Sequence, residues 1–243
     1  MSRLPRILAT MLFLGLVALG ALLLYGYARN HPEDLPWTAL DLTQPVGAFT
    51  GRKLARLHED PERCRSLLAQ AGIRFTTLPP RRDGPQCGYP EAVRLAAGGS
   101  RSIDYRPADL GTSCPAAAAL ALWEWHVVQP AAQRHLGARV AAVEHFGSYS
   151  CRRLYGRDEA AWSEHATANA LDIAGFALQD GRRIRVASDW EGGGARAAFL
   201  REVRDGACDL FATVLSPDYN EAHRDHFHFD QANRGRLGWR GCR

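Results

Sequence analysis

From Ile7 to Ala28 the chain carries no charged residue, and no other feature limits its architecture as much. A helix needs about 20 predominantly apolar residues to cross a bilayer. The apolar core of a secretory signal is shorter, roughly 7–15 residues, and ends in small residues at a cleavage site. Here the run is long and ends in Leu24-Tyr25-Gly26-Tyr27-Ala28-Arg29, a poor cleavage site. An uncleaved anchor is therefore expected in preference to a cleaved signal. Arg3 and Arg6 on the short side place that end in the cytoplasm. The expected location is the inner membrane, single-pass, with the C-terminal domain in the periplasm. Residues 1–30 are then a cytoplasmic tip and transmembrane anchor. Residues 31–53 are a linker, on the strength of three prolines between Asn30 and Val46, and residues 54–243 are the exported domain.

The cysteines agree with export. All six (Cys64, Cys87, Cys114, Cys151, Cys208, Cys242) lie beyond the anchor, and no CxxC pair occurs. An even number in an exported chain reads as disulfides rather than a thiolate zinc site. Sequence alone does not choose the connectivity. Cys64–Cys87 is expected because it is local, with Cys151–Cys208 and Cys114–Cys242 following by default. Hydrophobic residues make up 46% and charged residues 23%, which excludes wholesale disorder. A net charge of +4 with no basic stripe interleaved with aromatics argues against nucleic acid as a partner. The oligomeric state is not readable.

Periodicity gives a coarse map. Leu54, Leu57, Leu67 and Leu68 predict a helix over Leu54–Ala71, stopped by Gly72. Thr77 to Pro85 reads as a loop. Ala92–Ala96 and Ser102–Tyr105 read as a hairpin around Gly98-Gly99. Ser113 and Pro115 start a helix over Ala116–Val128, which Pro130 interrupts or restarts. Arg139–His145, Leu171–Leu178, Arg183–Ala187, Phe211–Leu215 and His226–Asp230 read as strands, and Ala195–Ala207 as a helix. Consecutive strands with few helices between them predict an α+β fold: an antiparallel sheet with flanking helices, preceded by one transmembrane helix.

The nine histidines are unevenly spread, and His223, His226 and His228 form an HxxHxH cluster. Alternate residues of a strand share a face. His226 and His228 would then point one way, and Phe227 and Phe229 into the core. The same parity puts Ala168, Ala170 and Asp172 on one face, with His165 in the polar turn before them. A single histidine in a strand is ordinarily a satisfied core or surface residue. Three within six residues are much rarer by chance. A carboxylate and two imidazoles with one position left for water is a common catalytic zinc environment. Two further histidines would remain for proton transfer.

These segments carry a family resemblance. Ser163-x-His165-x-x-Ala168-x-Ala170-x-Asp172 is similar to the SxHxxGxAxD motif of zinc D-alanyl-D-alanine peptidases, with Ala168 in place of the motif glycine. His223-x-x-His226-x-His228 resembles the HxxHxH of penicillin-insensitive murein endopeptidases in the same superfamily. Over about residues 60–243 the chain resembles the bacterial extensin-like C-terminal domain family. The segments responsible are Cys114-Pro-Ala-Ala, Gly147-Ser-Tyr-Ser-Cys151-Arg152, Ser163-Glu-His165-Ala, Ala168-Asn-Ala-Leu-Asp172-Ile-Ala-Gly-Phe176, Ser216-Pro-Asp-Tyr-Asn and His226-Phe-His228-Phe-Asp230.

The superfamily implies one zinc ion held by His165, Asp172 and His228. Its carboxypeptidase branch has a catalytic glutamate three residues before the last histidine ligand, where this chain has Asp225. The base is then His226, as in the endopeptidase branch, or Asp225. Glu164 neighbours a proposed ligand but should point away. Arg152 stands where those peptidases carry an arginine that holds a carboxylate or a polarised carbonyl, with Arg153 as its rival and His223 as a second group able to steady charge. The resulting expectation is an envelope-facing zinc metallopeptidase, of D,D-carboxypeptidase or murein endopeptidase type, acting on peptidoglycan stem or crossbridge peptides. The alternatives are a non-catalytic, metal-containing wall-binding or scaffold module and a purely structural disulfide-stapled domain.

Overall fold

The computed structural model describes residues 3–235 and 238–243. The apolar run is one unbroken helix, α1 (Arg3–Asn30), with no buried residue. Its 28 residues, at about 1.5 Å each, span roughly 42 Å, long enough to cross a bilayer. The following stretch is packed down rather than free. Leu40 and Leu42 are buried. Lys53 is buried too, its ammonium donating to the carbonyls of Pro32 and Glu33 and to the Thr38 hydroxyl.

Two helices occupy the place of the single one expected over Leu54–Ala71: α2 (Thr50–Ala55) and α3 (Pro61–Gln70). The break is local chemistry. Asp60 accepts a hydrogen bond from the Arg63 N–H at 3.0 Å and caps a new helix with Pro61 in its first turn. The chain then forms β1 (Ile73–Leu78), β2 (Arg81–Gly84), β3 (Cys87–Tyr89), β4 (Ala92–Gly99), β5 (Asp104–Arg106) and β6 (Gly111–Thr112). The loop expected over Thr77–Pro85 is thus the end of β1 followed by β2, which pairs with β3.

The hairpin expected over Ala92–Tyr105 does not form. β4 pairs with β1 and β6 in a three-stranded antiparallel sheet, while β5 joins a different sheet. A buried ion pair, Arg101 with Glu124 at 3.1 Å, sits at this crossover. The Glu124 carboxylate also accepts from the backbone N–H groups of Ser102 and Ile103, which turns the chain away from β4.

Next comes α4 (Cys114–Trp123), capped by Ser113 and buried on every side. A π turn over Glu124–Val128 leads directly into α5 (Gln129–Leu136). Pro130 lacks an N–H, and the widened turn lets the helix run on through it. The remaining elements are β7 (Val140–Gly147), β8 (Ala170–Leu178), β9 (Arg183–Arg185), α6 (Val186–Asp189), α7 (Ala195–Ala207), β10 (Thr213–Leu215), β11 (Phe227–Asp230) and β12 (Gly241–Cys242).

The large sheet has the order β12-β10-β11-β8-β7-β5, with β9 also on β8. It is antiparallel at its centre and closed by parallel pairs at both ends, β5 with β7 and β10 with β12. The fold is α+β with antiparallel sheets and one apolar N-terminal helix. Trp123 of α4 packs on Phe176 and Phe229, Phe176 on Phe199 of α7, and the Trp123 indole N–H donates to the Val203 carbonyl at 2.8 Å. One face of β8 and β11 is thereby filled, and the other is left for the site.

All six cysteines are bridged, but none of the three expected pairs occurs. The bonds are Cys64–Cys114, Cys87–Cys151 and Cys208–Cys242, with Cα separations of 6.1, 5.4 and 5.6 Å. Proximity in space decides. Cys64 lies on the buried side of α3, which packs against α4, and there it meets Cys114 at the start of that helix. Cys87 instead ties the β2–β3 hairpin to the loop after β7.

Candidate metal centre

The strand register builds the floor of the site. β11 pairs antiparallel with β8 so that His228 stands directly opposite Asp172. Their side chains share the face opposite Phe227 and Phe229, which are fully buried. His165 arrives from a one-turn helix, Glu164–Thr167, capped by the Ser163 hydroxyl. Ala168 then takes a left-handed conformation, φ 55°, to swing the chain into β8. Its carbonyl accepts from Ser113 N–H (2.7 Å), Thr112 Oγ1 (3.0 Å) and Ser148 Oγ (3.1 Å), which pins the turn. The Ser-x-His-x-x-Ala-x-Ala-x-Asp spacing is therefore a turn of fixed length feeding an alternating strand.

Hydrogen bonds fix both rings from behind. His165 Nδ1–H donates to the Ser148 carbonyl at 2.7 Å, which leaves Nε2 facing the cluster. His228 Nε2–H donates to Asp230 Oδ2 at 3.2 Å, which leaves Nδ1 facing it. His165 Nε2, His228 Nδ1 and Asp172 Oδ1 then converge: 3.1 Å between the two nitrogens, 3.1 Å from His165 to the carboxylate, and 2.9 Å from His228 to it. With the outer N–H groups already committed, all three inner atoms are acceptors, and they repel unless a cation lies among them. Donors on tetrahedral zinc, each ~2.0–2.1 Å from the ion, stand roughly 3.3 Å apart. The residues present fit a divalent ion, and the outer partners Ser148 and Asp230 are of the kind that orient histidine ligands.

Without metal a proton takes that place. Burial alone would lower the His228 pKa, but its bonds to Asp172 and Asp230 prevail and push it up to about 9. Burial would likewise raise Asp172, yet the His165 and His228 rings that face it hold its carboxyl well below the usual range.

His226 precedes β11 on the same face. Its Nδ1 lies 2.9 Å from Asp225 Oδ1, and its Nε2 stands 3.6 Å from Asp172 Oδ1. Asp225 is thus on the far side of the His226 ring, partly exposed, rather than in the cluster. His223 is buried with Nδ1 2.7 Å from Asn220 Oδ1, its ring centroid 5.3 Å from that of His226. Burial, reinforced by the neighbouring His228 and His226, pushes its pKa down to about 4.

Arg152 is half exposed at the rim, Nη2 3.7 Å from Asp172 Oδ2. Arg153 is committed elsewhere, over the Trp162 ring and to the Ala160 carbonyl. Glu164 accepts from Asn169 and faces away from the three converging atoms, and burial raises its pKa. Sequence reasoning assigned no role to Asp230, Ser148 or Asn220. Asp230 had a signal, since it continues the parity of His226 and His228. Ser148 acts through its carbonyl and left none.

The family model described as Extensin-like protein C-terminus matches residues 62–243. That span holds the whole cluster and every cysteine, and leaves out α1 and α2. No curated protein and no solved structure matches the chain.

Proposed function

The chain belongs to the extensin-like C-terminal family, and from that premise we propose that it is a zinc-dependent peptidase of the cell envelope, acting on peptidoglycan stem or crossbridge peptides. The reading places the domain in the superfamily of zinc D-alanyl-D-alanine peptidases and murein endopeptidases. It makes α1 an uncleaved inner-membrane anchor with the domain in the periplasm. Three disulfides suit an oxidising compartment.

One observation carries the reading: three acceptor atoms converge within about 3 Å, held from behind, with a third imidazole, that of His226, beside them that is not needed as a ligand. His165 Nε2, Asp172 Oδ1 and His228 Nδ1 would hold the metal. Zinc bound there supplies Lewis acidity toward an amide carbonyl and makes water acidic near neutral pH.

The chain's own groups do the rest. His226, oriented by Asp225 as its Nδ1–H donates to that carboxylate, presents Nε2 to the reacting centre. There it takes the proton of the attacking water and delivers it to the leaving nitrogen. Asp225 is then the orienting group rather than the base. His223 is neutral near pH 7 with its Nδ1–H committed to Asn220, so its free nitrogen accepts and does not donate. That leaves the Arg152 guanidinium to hold a substrate carboxylate or steady the developing oxyanion.

The test is incubation of the zinc-loaded chain with purified muropeptides, read by mass spectrometry. Loss of a terminal alanine would identify a carboxypeptidase, and cleavage of crosslinks an endopeptidase. Unchanged muropeptides in the presence of stoichiometric zinc would contradict the enzymatic reading and favour a wall-binding module.

A further inference from the structure

Outside α1, seven bulky hydrophobic side chains are exposed among the described residues. Five of them, Phe146, Leu154, Tyr155, Trp162 and Tyr219, lie on the segments that frame the histidine cluster. The Phe146 ring meets His226 edge-on at 5.7 Å, and Tyr219 lies 5.5 Å from the His223 ring. Trp162 pairs across a β-bridge with Arg153, next to Arg152, and the Arg153 guanidinium covers one of its faces at 4.6 Å. Exposed apolar surface gathered at one place marks a binding surface rather than chance.

One ring of this group is held by its polar edge. Asn220 Nδ2 donates to the Tyr155 hydroxyl at 3.1 Å, and the Tyr219 phenol lies near enough to the same hydroxyl for it to raise the Tyr219 pKa. Asn220 also accepts from His223, so the loop carrying Tyr155 is stitched to the segment that holds the site's own histidine. Tyr155 stands at φ 55°, a left-handed conformation that a bulky residue rarely adopts. Gly156 follows at φ 63°. A glycine at position 155 would relieve that backbone, yet the chain places there a tyrosine that is 51% exposed. Strain kept for an exposed ring points to a use for the ring.

We propose that this aromatic rim is a saccharide subsite, which binds the pyranose rings of the glycan to which the peptide substrate is attached. A pyranose has an apolar face of C–H groups and an edge of hydroxyl and amide groups. Aromatic faces bordered by tyrosine hydroxyls, Asn220 and the Arg152 guanidinium complement both. A lipid chain or an apolar helix would instead call for a continuous groove without polar edges. The identity of the glycan rests on the peptidase reading; the affinity for saccharide does not.

The experiment uses the full chain in nanodiscs and a β-1,4-linked tetramer of N-acetylglucosamine, with binding followed by titration calorimetry and by saturation transfer from protein to the acetamido methyl groups. Saturable binding is expected, equal with and without zinc and retained in His165→Ala. Trp162→Ala and Tyr155→Gly should each weaken it at least fivefold, and the second removes the ring while relaxing the backbone, so the fold is kept. Trp37→Ala, an exposed tryptophan remote from the cluster, should bind as the wild type does. Absence of saturable binding, or equal affinity in the rim variants, would overturn the proposal. Binding without any muropeptide cleavage would leave the saccharide subsite standing and remove the peptidase. Cleavage without tetramer binding would do the reverse.

Discussion

Two buried charged clusters among the described residues are built on opposite principles. Around Arg101 and Glu124 every charge meets its complement. The guanidinium pairs with the carboxylate, donates to the Ile103 carbonyl and lies over the Tyr105 ring, while Glu124 accepts from Ser102 and Ile103. At His165, Asp172 and His228 the outer atoms are satisfied in the same careful way, but the inner three are acceptors turned on one another. The first cluster is closed and holds a chain crossover. The second turns three acceptors on one point, an arrangement that suits a cation. Burial of charge does not by itself mark a function; the sign pattern of the groups that face each other does.

The largest effect should come from breaking the closed cluster. Glu124→Ala leaves the Arg101 guanidinium buried without its partner, and loss of one member of such a pair costs about 3–5 kcal/mol. Urea unfolding should register that loss equally with and without zinc. A zinc-dependent loss would mean that the two clusters are coupled.

The open cluster should behave in the opposite way. Zinc at 1,000 times its dissociation constant should stabilise the wild type by about 4 kcal/mol, and Asp172→Asn should abolish that gain in the same unfolding assay. The pH dependence sharpens the contrast. The His228 pKa is raised in the folded chain, to about 9, so in metal-free protein its contribution is fully present below the unfolded value of about 6.5. That contribution is lost as pH rises through 9. Zinc must displace that proton, so its affinity should fall as pH is lowered from about 9, with proton release measurable in weakly buffered solution.

Smaller effects test the support around the cluster. Asp230→Asn should cost about 10–100-fold in zinc affinity by competition titration, the usual size for an outer partner of a histidine ligand. An unchanged affinity would mean that Asp230 serves the fold alone. Ala168→Gly should be close to neutral. It relieves roughly 1–2 kcal/mol of left-handed strain and gives back about 0.5–1 in chain entropy and about 0.8 in methyl burial. A shift in thermal midpoint of more than a few degrees would mean that the turn is held by something other than its backbone conformation.

What was legible in the sequence follows from what is local. Alternation in β8 and β11 placed Asp172 and His228 on one face, because side-chain direction in a strand depends on parity alone. The helix over Ala195–Ala207 was readable for the same kind of reason. The disulfide pairing was not, because it depends on α3 packing against α4 and on a hairpin folding toward the loop after β7. The false hairpin at Gly98-Gly99 has a similar origin. The local turn signal is real, but Glu124, distant in sequence, takes the backbone N–H groups of Ser102 and Ile103. Asn220 and Ser148 govern ring orientation through contacts that only the folded chain creates.

The central claim, that three side chains hold the metal while a fourth handles the proton, is tested most directly by elemental zinc analysis. Wild type, His165→Ala and His226→Ala would be purified side by side and measured for zinc per chain. The account predicts one zinc ion in the wild type, none in His165→Ala, and one in His226→Ala, whose muropeptide turnover should be lower by about 10²–10⁴. Zinc retained in His165→Ala, or lost in His226→Ala, would contradict it.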